Sequence, residues 1–233
     1  MPTKDDVIFP SCVNRDEIDE VLYTPDMIQS RVRDLGVEIS NFYDDDWREG
    51  EGGGRIETPT STSASTNIIL PSPPPSSSSS SRRRLPLIVV CTLRGAVPFF
   101  ADLVRCLTVE AEWEFVALSS YGDGTDSSGC VETLLDIRID VSDRDVLIVE
   151  DILDTGHTLR YLIDALRARG PNSVRTAVLL HKTERTIGSL GLVPEFVGYV
   201  IPNAFVVGYG LDYAQRYRCL PWIGVLAPWV YNG

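Results

Sequence analysis

Short apolar runs recur through the second half of the chain, and stretches with a helical pattern lie between them. Helices are predicted at Pro98–Leu107 and Thr158–Leu166, where apolar residues return every three or four positions. Fully apolar strands that alternate with helices predict an α/β fold with a central parallel twisted sheet flanked by helices. The predicted strands are Leu87–Thr92, Phe115–Ser119, Val146–Val149, Val174–Leu180, Phe196–Ile201 and Val206–Val207.

A further helix is predicted near the N-terminus, before a stretch of very different composition. Thr24 suits the capping position, Pro25 suits the first helical position, and an apolar stripe then occupies Ile28–Phe42. Residues 48–84 are mostly Gly, Ser, Thr and Pro, with almost nothing to bury. We interpret them as a flexible insertion in a surface loop of a single domain (1–233). A regulatory or phosphorylated segment, centred on its serine- and arginine-rich end, is the alternative.

Composition and charge argue against several classes of partner. The formal net charge is -12, whereas a nucleic-acid surface needs a basic stripe. Five cysteines without a CxxC pair, together with two histidines, argue against a zinc site and fit reduced thiols in the cytosol. No apolar run approaches the length of a membrane span, and the N-terminal MPTKDDVIFP has no signal-like apolar core. We therefore expect a cytosolic protein that binds neither nucleic acid nor membranes.

One predicted strand runs directly into acidic residues, in the stretch VLIVEDILDTGHT at residues 146–158. A loop that leaves a strand and enters a helix presents backbone N–H groups and the positive end of the helix dipole, which bind phosphate. Glu150 and Asp151 would repel a bare phosphate. They fit a ligand that also carries hydroxyl groups or a divalent cation, as a sugar phosphate with bound Mg²⁺ does. The stretch therefore predicts a sugar-phosphate site at the carboxyl end of a strand.

The pattern EDxxDTGxT after an apolar strand resembles the phosphoribosyl diphosphate (PRPP) motif of the type I phosphoribosyltransferases. Lys182 in LLHK, the stretch IPNAFVVGYGLDY at residues 201–213, and Arg218 are similar to the hypoxanthine-guanine phosphoribosyltransferases. The N-terminal YTPDMIQSRVRDLGVEIS also resembles a helix of that family. The resemblance covers essentially the whole chain except residues 48–84. It implies a small hood, formed by the N- and C-terminal segments, in addition to the central sheet.

The resemblance implies roles for the residues around PRPP. Asp154 would be the general base or acid that faces the imidazole nitrogen of the purine. A free aspartic acid has a pKa of about 3.9, so work as an acid requires an altered environment. His157, where the family often has lysine, would face solvent in the loop. The implied PRPP contacts are Glu150 and Asp151 at the ribose hydroxyls, the N–H groups of Thr155, Gly156, His157 and Thr158 at the 5′-phosphate, Leu93-Arg94-Gly95 at the pyrophosphate, and Arg218 also at the pyrophosphate.

The same resemblance implies a purine site, a metal and a mobile loop. Lys182 would donate to the 6-oxo group of the purine, and Asp212 would also belong to the purine site. Phe205 would stack on the base, and the Val206 backbone would contact its edge. The first peptide bond of the pyrophosphate loop is typically cis in the family, which usually has lysine where Arg94 stands. The implied ligands of Mg²⁺ are Glu150, Asp151 and, through water, Asp212, and the implied residues of a loop that closes over the reaction are Ser120 and Tyr121.

The implied activity is purine salvage. A homodimer or homotetramer would transfer the phosphoribosyl group from PRPP to hypoxanthine or guanine and release pyrophosphate, and xanthine as a further substrate stays open. A regulator of the same fold, which binds PRPP or nucleotide without catalysis, is the alternative. A regulator is expected to lose catalytic groups, and here they are present. Lys182 and Phe205 argue against orotate or adenine as the base.

We predict that replacing residues 48–84 by a short Gly/Ser link leaves folding and turnover nearly unchanged. The segment has few residues that can bury apolar surface, and each doubling of a flexible loop's length adds only about 0.6 kcal/mol of closure free energy. Thermal melts, a sizing column and steady-state kinetics of the deletion variant test this. A lower melting temperature together with loss of the oligomer would show that the segment is structural.

Overall fold

A computed structural model of the chain describes residues 2–51, 85–120, 131–186 and 190–232. Of residues 45–51, 119–120 and 131–132 only the backbone is described. Most of the predicted insertion, residues 52–84, lies outside the described residues, and so does Tyr121 of the predicted mobile loop. The expectations for both therefore stay predictions.

The described part of the chain contains two sheets and four α-helices. In chain order the strands and α-helices are β1 (Ile18–Tyr23), α1 (Pro25–Glu51), β2 (Leu87–Leu93), α2 (Val97–Val104), β3 (Ala111–Ser120), β4 (Val131–Leu135), β5 (Asp145–Leu153), α3 (His157–Arg167), β6 (Ser173–His181), β7 (Phe196–Val200), β8 (Val206–Val207), β9 (Ile223–Leu226) and α4 (Pro228–Tyr231). The larger sheet has the strand order β4-β3-β2-β5-β6-β7, and the smaller one has the order β1-β9-β8. Among the described residues, none of the helices combines the length and the apolar character that a membrane span needs.

The larger sheet is parallel except at one edge, where β4 pairs with β3 in the antiparallel direction. Its central strands β2, β5 and β6 are mostly buried, because helices cover both faces. In β2, Val89 and Cys91 pack into the core that includes α1 and α2, whereas Ile88 and Val90 pack into the core around α3. The predicted α/β fold with a central parallel sheet is confirmed, and β4 is an addition that the apolar pattern did not indicate.

The smaller sheet joins the N- and C-terminal parts of the chain into a hood. Ile18 of β1 is paired with Leu226 of β9, and Val206 of β8 is paired with Val225 of β9. The core of the hood includes Trp222, which is fully buried. This arrangement confirms the hood that the resemblance implied. The apolar pattern missed β1 and β9 because β1 carries acidic residues and β9 has only four residues.

Several element boundaries differ from the predictions, and two of them bear on the insertion and on the site. Helix α1 continues to Glu51 and so includes residues 48–51, the first part of the predicted insertion. Strand β5 continues to Leu153, because its pairing with β6 extends beyond the apolar run. Glu150 and Asp151 are therefore strand residues, and the loop to α3 begins only after them.

Parallel pairing brings the carboxyl ends of β2, β5 and β6 to the same edge of the larger sheet. The segments that follow these three strands begin at Arg94, Asp154 and Lys182. Ligands bind at this edge in open α/β sheets. The fold thus gathers the motifs that lie far apart along the chain at one place.

Candidate active site

Two adjacent carboxylates lie near the end of β5. Glu150 and Asp151 are both partly buried. Burial raises the pKa of Glu150 well above its usual range, and the charge of Asp151 adds to the increase. Burial also raises the pKa of Asp151, although a hydrogen bond with Glu150 and one from the Ile152 N–H act in the opposite direction. A cation or hydroxyl donors close to the two carboxylates would stabilise their ionised forms.

The loop between β5 and α3 forms a cradle of backbone N–H groups. Gly156 caps α3 with a φ of 94°, a left-handed conformation that glycine adopts without strain. The first N–H groups of a helix have no carbonyl partner within it, and the helix dipole makes this end positive. Residues between Glu150 and Leu159 line a cavity of about 180 Å³ at this cradle. The cavity suits a phosphate group.

The turn after β2 lies very close to Asp151 and to a loop of the hood. The peptide bond between Leu93 and Arg94 is cis, as the resemblance implied. A Cβ atom on Gly95 would overlap the Asp151 carboxylate, and a Cβ atom on Gly210 would overlap the carbonyl of Gly95. Glycine at both positions therefore lets the β2 turn pack between the end of β5 and the hood.

Arg218 connects the hood loop to Asp212. Its Nη1 donates to the Gly210 carbonyl at 2.8 Å, and its Nη2 lies 2.7 Å from Asp212 Oδ1. Asp212 Oδ2 accepts from the backbone N–H of Gln215 at 2.8 Å. Arg218 Nε is buried and has no hydrogen-bond partner within the described residues. A buried guanidinium donor without a partner is suited to an anionic ligand.

Asp154 is held between two cations from the segment that follows β6. Its Oδ2 lies 3.0 Å from Lys182 Nζ, and its Oδ1 lies 2.9 Å from Arg185 Nε. Burial raises the pKa of Asp154, but the hydrogen bonds and charges of Arg185 and Lys182 outweigh burial, and the net pKa lies below the usual value. The surroundings of Asp154 thus favour its ionised, proton-accepting form over the protonated form that an acid requires.

Phe205 of the hood lines a second cavity, of about 240 Å³. Phe205 stacks on Tyr231 with 5.0 Å between ring centroids and meets Tyr213 edge-on at 5.5 Å. This cavity shares Asp151 and Asp154 with the cavity at the start of α3, so the two adjoin. One cavity presents N–H donors, and the other presents an aromatic ring beside a lysine and a carboxylate.

Most of the predicted site residues come together at this edge. His157 is exposed as expected, although it is the first residue of α3 and not a loop residue. Ser120 ends β3, but its side chain is not described. The predicted residues that line the two cavities are Glu150, Asp151, Asp154, Thr155, Gly156, Thr158, Lys182, Phe205, Val206 and Asp212.

Pattern reasoning missed three residues that contact the site residues without lining either cavity. Arg185 follows Lys182 by three positions, which is one helical turn, but its contact with Asp154 becomes visible only when β5 and β6 are paired. Gly210 lies within the stretch that carries the resemblance, and its importance depends on the approach of the β2 turn. Tyr231 belongs to the C-terminal α4, for which no pattern indicated a site role.

Comparisons with known proteins agree on one family. The phosphoribosyl transferase domain family matches residues 77–214. The hypoxanthine-guanine phosphoribosyltransferase of Mycobacterium tuberculosis (strain ATCC 25618 / H37Rv) is 40% identical over 216 residues, which are 93% of this chain and 90% of the relative. The bifunctional protein TilS/HprT of Listeria monocytogenes (serovar 1/2a) is 38% identical over 93% of this chain, but the chain spans only 27% of that relative.

Solved structures give the same result for the fold. The crystal structure of a hypoxanthine phosphoribosyltransferase from Staphylococcus aureus superposes with a TM-score of 0.71 and 32% sequence identity. The similarity covers 94% of this chain and 96% of that chain. The hood and the sheet are therefore both included in the match.

We predict that Gly210→Ala destabilises the protein by about 1–3 kcal/mol more than Gly170→Ala does. Both glycines have a positive φ, 100° and 74°, so both substitutions carry the strain of a left-handed conformation. A Cβ atom at Gly170 meets nothing within 4 Å, whereas one at Gly210 overlaps the Gly95 carbonyl. Urea denaturation of the two variants measures the difference. Equal losses of stability would contradict the close packing of the hood loop on the β2 turn.

Proposed function

We propose that this chain transfers the 5-phosphoribosyl group of PRPP to hypoxanthine or guanine. The premise is that the chain belongs to the phosphoribosyltransferase family and to its hypoxanthine-guanine members. Pyrophosphate is released, and the products are IMP or GMP. The reaction is therefore one of purine salvage.

The observation that carries this proposal is a hydrogen-bond donor next to an acceptor on the wall of the cavity that contains Phe205. Lys182 Nζ and Asp154 Oδ2 lie 3.0 Å apart. A 6-oxopurine base presents the complementary pair along one edge, with the O6 acceptor next to the N7–H donor. Adenine would instead direct its 6-amino donor at the lysine ammonium, which cannot accept a hydrogen bond. The pair thus favours hypoxanthine and guanine over adenine.

PRPP would lie along the carboxyl edge of the sheet. Its 5′-phosphate would bind the N–H groups at the start of α3, and its pyrophosphate would reach the turn after β2. Glu150 and Asp151 would accept hydrogen bonds from the ribose hydroxyls. The free Nε donor of Arg218 supports a contact with the pyrophosphate from the hood side. Phe205 supplies the flat apolar surface on which the purine stacks.

The reaction replaces one bond at the anomeric carbon by another. N9 of the purine bonds to C1 of the ribose while the bond from C1 to the pyrophosphate oxygen breaks, and its electron pair leaves with the pyrophosphate. Positive charge that develops on the sugar ring is stabilised by nearby carboxylates. The N7 proton moves to Asp154. When Lys182 turns to O6 of the purine, Asp154 loses one of its two cations and becomes a stronger base.

Mg²⁺ is the metal that the family uses with PRPP, and the residues present fit it. Glu150 and Asp151 supply oxygen ligands, and their burial makes a nearby cation favourable. Among the described residues no group of three or more His, Cys, Asp or Glu could enclose a metal ion. Mg²⁺ takes one or two carboxylates and completes its shell with substrate oxygens and water, and it would neutralise the leaving group. Both oxygens of Asp212 already accept hydrogen bonds, so it would reach a second ion only through water.

Two further expectations stay predictions from the sequence, namely the cytosolic location and the homodimer or homotetramer. Xanthine as a further substrate stays open. The alternative of a non-catalytic regulator has less support, because Asp154, Lys182 and Arg218 keep an arrangement suited to the reaction.

We predict that PRPP and Mg²⁺ yield nucleotide with hypoxanthine or guanine and none with adenine. The donor–acceptor order of the Lys182 and Asp154 pair is the physical reason. Chromatography of reactions with hypoxanthine, guanine, xanthine and adenine, each with and without Mg²⁺, measures the products. If no 6-oxopurine is converted while calorimetry still detects PRPP binding, the regulator replaces the enzyme as the better interpretation.

We predict that Asp154→Asn lowers kcat by about 10²–10⁴-fold, the usual contribution of a positioned acid–base group, with KM for PRPP nearly unchanged. Asparagine keeps the size of the side chain but cannot take the N7 proton. Asp164→Asn is the matched control, because Asp164 is paired with Arg160 on α3 and lines neither cavity. Equal kcat values for Asp154→Asn and the wild type would remove Asp154 from the chemistry.

A further inference from the structure

We infer that Arg185 is a positioning residue of this site, which fixes the Asp154 carboxylate through Oδ1 so that Oδ2 points at the purine. The inference rests on the proposed function and adds to it a residue that lies outside the stretches carrying the family resemblance. Arg185 touches neither PRPP nor the purine in this role, and it acts only through Asp154.

The two oxygens of Asp154 each contact a different cation. Oδ2 is 3.0 Å from Lys182 Nζ, and Oδ1 is 2.9 Å from Arg185 Nε. A carboxylate that is held at one oxygen only can rotate about its last bond. A second contact from a planar guanidinium, whose N–H direction is fixed, sets the plane of the carboxylate.

The two cations reach Asp154 from different sides. Lys182 is buried, with 7% of its surface exposed, and it lines the cavity proposed for the purine. The side chain of Arg185 is 47% exposed and is not among the residues that line that cavity. When the purine binds, Lys182 can therefore leave Asp154 and donate to the 6-oxo group of the purine. Arg185 can stay in contact with Asp154.

The segment that carries Arg185 is also tied to the backbone of Asp154. Thr186 Oγ1 donates to the Asp154 carbonyl at 3.0 Å, and the Arg185 N–H donates to the Lys182 carbonyl at 3.0 Å. The Thr186 hydroxyl lies 3.1 Å from Nε2 of His181 at the end of β6. The turn from Lys182 to Thr186 thus holds the guanidinium at a set distance from the carboxylate. Such a fixed arrangement is what the positioning of a catalytic group requires.

Charge gives a second, independent readout of the same contact. The groups that face Asp154 are Lys182 and Arg185, and the carboxylates of Asp151 and Asp212 line the same cavity. Arg185 is one of the cations that lower the pKa of Asp154. Without Arg185, the pKa of Asp154 rises. Because Asp154 must be ionised to act as a base, activity then begins to fall at a higher pH as the solution is acidified. The acidic limb of the pH profile is therefore expected to move toward higher pH.

The experiment compares Arg185→Gln with the wild type in single-turnover nucleotide formation with PRPP and hypoxanthine, since product release limits kcat in many enzymes. The rate is expected to fall about 10- to 100-fold, because misplaced catalytic groups cost rates of this order. KM for PRPP is expected to stay nearly constant. Arg185→Lys keeps the charge but loses the planar donor, so it should lose rate while its acidic limb stays close to that of the wild type. Arg33→Gln, which makes the same change at an exposed position of α1, is the matched control and should equal the wild type.

The outcomes separate this inference from the proposed function. If the wild type forms no nucleotide, the proposed function itself fails. If the wild type is active and Arg185→Gln keeps its rate and its acidic limb, Arg185 has no positioning role. A half-exposed ion pair contributes little to stability, so the melting temperature should hardly change. A fall in melting temperature and in rate without any shift of the acidic limb would assign Arg185 a merely structural role and would overturn the inference.

Discussion

The site depends on the register in which two buried parallel strands are paired. Leu153 at the end of β5 lies opposite His181 at the end of β6, and the Lys182 N–H donates to the Leu153 carbonyl at 2.9 Å. The next residues along the two strands, Asp154 and Lys182, are therefore brought side by side. A slip of one residue would turn each side chain of the slipped strand to the opposite face, and the pair would be lost. The apolar faces of both strands, buried under helices on either side, hold this register.

The three carboxylates at a phosphate cradle are divided between two tasks by their surroundings. Asp154 has its counter-charges within the protein, from Lys182 and Arg185, and stays ionised. Glu150 and Asp151 have raised pKa values because burial is not offset by a comparable cation. In the proposed function, the ligand supplies the hydrogen-bond donors and the positive charge that these two carboxylates lack. The donors are the ribose hydroxyls, and the charge is that of a bound metal ion. The acids are thus complementary to the sugar and the metal, while the N–H groups at the start of α3 are complementary to the phosphate.

The two sheets contribute different parts of the site. The parallel sheet presents the N–H groups, the carboxylates and the lysine, whereas the hood contributes Phe205, Asp212 and Arg218. The β2 turn and the hood pack so closely that no side chain fits at Gly95 or at Gly210, and glycine at both positions makes this contact possible. Because Arg218 Nη1 donates to the Gly210 carbonyl, the arginine proposed to contact the pyrophosphate also supports the loop that packs on the β2 turn.

The sequence by itself determined the class of fold, the central strands and the acidic motif, because these are local patterns of apolar and polar residues. Through its resemblance to a known family, the sequence also predicted the hood and most of the residues that line the two cavities. Only the tertiary structure decided where β5 ends, that β4 runs antiparallel at the edge, and that α1 includes residues 48–51. It also decided that Asp154 is paired with Arg185 and that its pKa is lowered. The physical reason is that strand pairing and charge environment depend on residues far apart in the chain, and their distances are set only when the sheet has formed.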